Sequence, residues 1–331
     1  MALPMINEAR EAYPDSEITV LTPDHLFELF TGNPGIDRVL TIPTEYVHGL
    51  LSVFKIKDLL TPEDFDLGYI LPPSFGAASS FKLAGIKERI GYIADGRRML
   101  LTKPLPLPVP LNSEHRSKVY FDLLRRGAGV SIDYVKPKMF LDQADADAAV
   151  AMLDGFGVGP EDPYAVVAFR AVAESRRWGE ENYTALAIRM IDELGFRVIL
   201  VGSKSDRDAG DAIVEGAERE ESVINLAGKT SLRELAGICS HARVFVGNDS
   251  GPAHLAAAVG APIVVLSGAD DPNETSPMSN QKRLIYHDHL DCISCVKNKC
   301  PLKGDAVMLC MALITVDDVF TEVRAILGPA E

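Results

Sequence analysis

The heptapeptide Asn248-Asp249-Ser250-Gly251-Pro252-Ala253-His254 carries the residue types best suited to binding chemistry in this 331-residue chain. An apolar strand-like run at 243–246 leads into it, and a helical pattern at 251–259 leads out. Ser250 has the type of an N-cap residue, and Pro252 fits a first helical turn, where a missing N–H costs nothing. Gly251 removes a side chain where a backbone must approach a ligand. Free N–H groups and the positive end of a helix dipole make such a junction an anion site, suited to a pyrophosphate. His254 falls in the same first turn. Asp249 is an odd neighbour for a phosphate and suits a sugar hydroxyl or an amide better. The same residues also make an ordinary turn and cap.

Two further groups stand out. Cys292, Cys295, Cys300 and Cys310 follow a C-x2-C-x4-C-x9-C spacing. That spacing leaves three states open: a structural zinc site, a disulfide, or free packed thiols, the last suggested by the apolar run around Cys310. Cys239, on a helical pattern, is expected in the core. Asp270-Asp271 precedes Pro272 and reads as a turn rather than a metal motif, so no metal site is assigned.

The elements needed to hold the heptapeptide alternate strand and helix, the pattern of stacked βαβ units on a parallel sheet. In the first half, strands are expected at 18–21, 38–41, 67–71 and 88–91. A helix is expected at 117–126, capped by Gly127. Met1 to Tyr13 reads as one amphipathic helix. The proline-rich stretch 102–110 is expected to be a surface excursion. In the second half, strands are expected at 165–169, 197–201, 222–225, 243–246 and 262–266. Helices are expected at 180–194 (closed by Gly195), 231–240 and 251–259, with a last one capped by Thr315. Buried parallel strands read as continuous Val/Ile/Leu runs, as these do. Gly and Pro cluster at 155–163, which places a boundary between domains 1–157 and 158–331. The expected architecture is two doubly wound α/β domains facing a cleft.

Composition narrows the function. Hydrophobic residues make up 47% and charged residues 24%, a globular balance. Lys+Arg total 33 against Asp+Glu 47, a formal charge of -14, which disfavours nucleic acid as a partner. No apolar run reaches the roughly 18 to 20 residues of a spanning helix. The start MALPMINEAREAYPDSE lacks a secretory pattern, so a cytoplasmic location is expected.

From Asn225 onward the chain resembles glycosyltransferase family 9, the ADP-heptose:lipopolysaccharide heptosyltransferases. The likeness lies in LAGKTSLRELAGICSHARVFVGNDSGPAHLAAAVGAPIVVLSGADDP and CISCVKNKCPLKGDAVMLCM. The family element D-[ST]-G-x-x-H stands here as Asp249-Ser250-Gly251-Pro252-Ala253-His254.

The resemblance implies a GT-B fold whose second domain binds the nucleotide-sugar. Donor contacts are implied at Asn248, Asp249, Ser250, Gly251, Pro252 and His254. Further ones are implied at Gly228, Lys229, Thr230, Gly268 and Arg176, which stands where relatives carry Lys. The family's first strand and Gly-Asp loop have no counterpart here, because the helix at Met1 to Tyr13 matches the family's next element, the helix after that loop. The base is therefore expected upstream of Met1, the catalytic residue in this sequence is unknown, and the first domain is expected to lack its first strand.

The implied reaction is inverting, metal-independent transfer of a heptose-type sugar from an ADP-linked donor to a phosphorylated glycolipid, with no cofactor. A catalytically weak nucleotide-sugar binder is the alternative. Within the basic run Lys82, Lys87, Arg89, Arg97, Arg98 and Lys103, acceptor contacts are expected at Arg89, Arg97 and Arg98. Asp66, Asp95 and His115 are further candidates for acceptor contacts, with a structural role as the favoured alternative. A monomer working at the inner membrane surface is expected, with its last helix packing back on the first domain.

Overall fold

The computed structural model describes residues 1–47, 49, 51–108 and 113–328. The chain divides into two compact units, Met1–Pro137 and Lys138–Glu331.

In the first unit, β1 (Thr19–Pro23) pairs in parallel with β2 (Arg38–Ile42). A separate parallel sheet orders β3 (Leu67–Tyr69), β4 (Glu88–Tyr92) and β5 (Lys103–Leu105). The strands of this unit stand in two sheets. Helix Arg116–Ala128 covers the second of them, with Val119 and Leu123 in one cluster with Ile90 and Tyr92.

Three expectations need correction here. Gly127 lies inside that helix, where a Cβ would come within 2.5 Å of the Tyr69 ring, and the left-handed cap is Gly129 at φ 73. The proline-rich stretch contains β5, an edge strand that tolerates Pro104 because an edge has N–H positions with no partner to lose. Val109 and Pro110, at its end, lie outside the described residues. The first helix is two short ones, Leu3–Asn7 and Ala9–Ala12, meeting at Glu8.

The second unit holds one six-stranded, all-parallel sheet. Its strands are β6 (Tyr164–Ala168), β7 (Arg197–Val201), β8 (Val223–Asn225), β9 (Val244–Asn248), β10 (Ile263–Leu266) and β11 (Lys282–Ile285). They lie in the order β11-β10-β9-β6-β7-β8, the doubly wound pattern, which reverses between β6 and β9. Every residue of β6, β9 and β10 is buried, which is why these strands read as unbroken apolar runs. Helix Glu180–Leu194 ends at Gly195 in the left-handed region (φ 67), as expected. The Ser231–Glu234 and Thr315–Asp318 capping boxes start their helices. Strand β11 and helices Gln143–Asp154 and Arg207–Ala217 were not anticipated.

The division falls about twenty residues before the expected boundary. Helix Gln143–Asp154 belongs to the second unit, because it crosses helix Leu232–His241 at close range. A Cβ on Gly237 would meet the Asp145 carbonyl at 2.8 Å. Arg233 Nε donates to Asp145 Oδ1 at 2.7 Å, and Met139 N to the Ala258 carbonyl at 2.9 Å. The Gly/Pro cluster is a tight surface loop within the unit, with Val158 buried. The last helix, Val316–Leu327, lies on its own unit's sheet. Val319, Phe320 and Val323 join the core around β9 and β10.

Candidate functional site

In a doubly wound sheet, ligands sit outside the carboxyl ends of the strands where the strand order reverses. Here that point lies between β6, which leads into Phe169-Arg170, and β9, which leads into Asp249-Ser250-Gly251. Buried polar side-chain atoms are almost always paired, so each exception calls for a cause. Seven such atoms among the described residues lack a partner, and six belong to residues at or just after the carboxyl ends of these strands. They are Arg170 Nε, Arg176 Nε, Asn248 Nδ2, Ser250 Oγ, Ser267 Oγ and His287 Nε2. Guanidinium, amide and hydroxyl groups gathered at one sheet edge form a polar surface suited to a polyanionic, hydroxyl-rich ligand.

Asn248 is held from behind. Its Oδ1 accepts from the hydroxyl of fully buried Tyr183 at 3.0 Å, which leaves the amide nitrogen free. Tyr183 packs edge-on against Trp178 at 4.9 Å, and Trp178 Nε1 donates to the Ile314 carbonyl at 2.7 Å. Tyr183→Phe is expected to cost about 1 kcal/mol of stability and to weaken nucleotide binding, because Asn248 Oδ1 loses its donor. A thermal melt paired with a nucleotide titration checks this; unchanged binding would detach Asn248 from the ligand.

Ser250 occupies the N-cap position of helix Gly251–Ala258, but its hydroxyl caps nothing. The expected capping role is therefore corrected: the Ser250 side chain remains available at the start of the helix. A Cβ built on Gly251 would meet nothing within 4 Å, so open space lies before the first helical N–H groups. Pro252 sits in the first turn as expected.

Asp249 is only 4% exposed. Its carboxylate accepts from Thr275 Oγ1 at 2.8 Å and lies 3.3 Å from His254 Nε2. His254 is thereby oriented from the first turn of the helix. Across the edge, Arg176 Nη2 meets Asp270 Oδ1 at 2.7 Å. Asp270 is buried, and burial, reinforced by nearby Asp249, pushes its carboxyl up to about 7 despite the Arg176 guanidinium. Asp270, expected in a turn, and Tyr183, which no local pattern marks, both stand at this candidate site. Arg170 pairs with Glu180, while Arg177 Nε donates to the Ala171 carbonyl at 3.1 Å.

Other expected donor residues fall elsewhere. Gly228-Lys229-Thr230 follow β8, separated from β9 by two strands, so roughly 14 Å away at the usual strand spacing. Lys229 Nζ donates to the Asn225 carbonyl at 2.8 Å and lies over the Phe156 ring. Gly228 (φ 69) is required by a close pass against the Lys204 backbone. The fold thus places these three at the end of β8, apart from the Asn248–His254 segment. Gly268 is small for a packing reason as well, since a Cβ would press within 2.9 Å of Cys310 Sγ.

The expected acceptor residues also sort by burial. Arg97 is fully buried, with Nε donating to the Tyr92 carbonyl at 2.9 Å, Nη2 to Ile70 at 3.3 Å and Nη1 to Pro72. Arg89 spends its donors on the Leu100, Ile86 and Lys87 carbonyls. Both are corrected to braces of the β3–β5 sheet; Arg98 is exposed. His115 caps helix Arg116–Ala128 by accepting from Ser117 N, Asp95 accepts from Phe75 N at 2.9 Å, and Asp66 pairs with Lys87 on the surface. The first unit also holds an open cavity of about 520 Å³. Its cations Lys118 and Arg125 are offset by Glu114, Asp122 and Asp133, so it has no bias toward anions.

All five cysteines are free thiols. Cys292, Cys295, Cys300 and Cys310 line one cavity of about 30 Å³. Burial, with the other three thiols, pushes the Cys310 thiol up, and Cys239 is buried in the core as expected. Among the described residues, no three His, Cys, Asp or Glu side chains are placed to hold a metal ion.

Comparison with known proteins agrees with this geometry. The model of "Glycosyltransferase family 9 (heptosyltransferase)" matches residues 53–305. The lipopolysaccharide heptosyltransferase 2 of Escherichia coli K12 is 29% identical over 286 residues, covering 82% of this chain and 80% of the relative. Among solved structures, the E. coli ADP-heptose LPS heptosyltransferase II superposes with a TM-score of 0.80 at 24% identity, over 98% of this chain and 94% of that one. A family 9 glycosyltransferase from Veillonella parvula gives 0.84 at 20% identity, over 98% and 92%. These likenesses show the GT-B fold, two Rossmann-like units in one chain.

Proposed function

The chain belongs to glycosyltransferase family 9, and we propose that it moves a heptose-type sugar from an ADP-linked donor to a lipopolysaccharide core or similar glycolipid. Membership makes it a glycosyltransferase; the choice of sugar and nucleotide draws on relatives described as acting in lipopolysaccharide heptosyl transfer, one of them by name with ADP-heptose. One observation carries the reading: the six unpartnered polar atoms at the carboxyl edge of β6, β9, β10 and β11. A nucleoside diphosphate sugar supplies what they lack, phosphate oxygens for the guanidinium and helix N–H groups, and hydroxyls for Asn248, Ser250 and Ser267.

The chemistry assigned to this edge is departure of the diphosphate. Transfer builds negative charge on the leaving phosphate, and fixed donors aimed there lower the barrier without reorganising. The N–H groups at Gly251, the hydroxyl of Ser250 and the cation of Arg176 would do this without a metal ion. Asp249 keeps His254 facing the same space. Transfer with inversion also needs a base at the acceptor hydroxyl, and the residues of this edge serve the leaving side.

We place the protein in the cytoplasm, as a monomer that meets a phosphorylated glycolipid at the inner membrane surface. Exposed Arg98 and its neighbour Met99, 77% exposed, are the candidates for that contact. Among the described residues, no helix is long and apolar enough to cross a membrane.

Gly251→Val tests the reading with little disturbance to the fold, since a new side chain there meets open space. The melt is expected to stay near that of the parent. Nucleotide affinity is expected to fall by about tenfold or more, roughly 1.4 kcal/mol, because the side chain occupies the approach to the helix start. Full affinity with an intact fold would place the ligand elsewhere.

A further inference from the structure

Two buried carboxylates stand at the proposed donor edge, and one of them meets a guanidinium. Asp249 (4% exposed) and Asp270 (5%) lie on neighbouring strand ends, β9 and β10, and Arg176 bonds Asp270 alone of the two. Asp249 is served by Thr275 and His254. Arg176 also keeps a buried Nε with no partner, so the Asp270 contact leaves its hydrogen bonding incomplete.

The backbone beneath this pair is fixed. Ser294 N donates to the Gly268 carbonyl at 3.1 Å, Val296 N to Ala269 at 2.7 Å, and Ser294 Oγ to Asp270 at 3.1 Å. The same cysteine-bearing loop accepts from Ser175 N, beside Arg176, at its Asn298 carbonyl. Both partners therefore stand on one anchored loop, and what can change between them is the guanidinium's choice of anion.

We propose, resting on the donor-site reading above, that Asp270 is a positioning residue that holds Arg176 at the donor edge and takes a proton when the donor's diphosphate claims the guanidinium. The proton is released by the buffer acid in solution, whose conjugate base stays in the solvent, and the bond to hydrogen lost there is replaced by an O–H on the Asp270 carboxyl. Once the guanidinium turns to phosphate, a charged Asp270 would face Asp249 and the diphosphate inside a buried edge, an arrangement that neutralisation relieves. The other titratable groups around it are His254 against Asp249, Glu274 buried on the short helix Pro272–Thr275, Tyr286 bonded to Ser294, and the Arg170–Glu180 pair. Burial and Asp249 already bring the Arg176-paired carboxyl to about 7. The bound form sits higher, so binding takes up a proton, and affinity falls as pH rises above about 7.

The test is calorimetric titration of the full chain with ADP-glucose, a diphosphate ester without an ionisation of its own near neutrality. It is run at pH 8 in two buffers of different ionisation heat, then across pH 6.5 to 9. The expected result is uptake approaching one proton per donor and affinity falling by up to about tenfold per pH unit above 7. Asp270→Asn, close in shape, is expected to bind with no such uptake and a flat pH profile. Arg176→Gln is expected to bind more weakly and to take up less. Buffer-independent heats in the parent, or undiminished uptake in Asp270→Asn, would overturn the proposal and leave the donor site standing. No binding of ADP-glucose, ADP, UDP or GDP would overturn both.

Discussion

Asp249→Asn is expected to lower kcat/KM for sugar transfer by about 10²- to 10³-fold while leaving the fold intact. The carboxylate accepts from Thr275 Oγ1 at 2.8 Å and lies 3.3 Å from His254 Nε2, and it is 4% exposed. Asparagine keeps the size and one acceptor oxygen, so Thr275 retains a partner and packing changes little. What disappears is the negative charge that orients His254 toward the space of the leaving diphosphate. Removing one preorganised group at a developing charge costs about 2.7 to 4 kcal/mol, which sets the expected size. The measurement is ADP release from an ADP-heptose donor with a heptose-deficient glycolipid, alongside a melt. Activity within about threefold of the parent would remove the Asp249–His254 pair from catalysis.

Arg97→Met should produce the largest loss of stability. The Arg97 side chain is fully buried and bonds the carbonyls of Tyr92, Ile70 and Pro72, joining the ends of β3 and β4 to the turn after β3. Burial lowers its guanidinium from the usual range, so the charge is held at a cost that these carbonyls offset. Methionine fills much of the volume and leaves three acceptors without donors, at about 1 kcal/mol or more each. A loss of about 3 kcal/mol lowers the melting temperature of a unit this size by roughly 10 °C. The same variant separates the two roles considered for this residue. A brace predicts an early melt, whereas an acceptor contact predicts an unchanged melt and a raised acceptor KM.

The second unit was largely legible in the sequence because its strands are buried on both faces. Continuous apolar runs such as Tyr164–Ala168 and Val244–Val246 have the composition of strands buried on both faces. Helix Glu180–Leu194 was equally plain, since Gly195 supplies the left-handed end that a helix stop favours. Weaker signals came from positions set by tertiary packing. Gly127 looked like a cap, and its real cause is the Tyr69 ring, which no local pattern records. Strand β5 hid among prolines because an edge strand has donors to spare.

At the site, the Asn248–His254 segment announced itself through turn and cap chemistry, yet Ser250 does not cap and Asp249 turned out to orient His254. Asp270 and Tyr183 carried no local signal, since their importance rests on partners 94 and 65 positions away, Arg176 and Asn248. Arg89, Arg97 and Lys229 show the converse. Charge in the sequence suggested ligand contacts, but in the fold Arg89 and Arg97 bond several backbone carbonyls and Lys229 bonds one.

The central claim is that the carboxyl edge of the second unit's sheet, between β6 and β9, binds a nucleoside diphosphate. Its most direct test is a parallel calorimetric titration of the parent chain and Gly251→Val with ADP, UDP and GDP, each protein first shown to melt alike. The account predicts selective binding of ADP by the parent and loss of that binding in Gly251→Val. Binding of none of the three nucleotides by the parent, or equal ADP affinity in the two proteins, would contradict it.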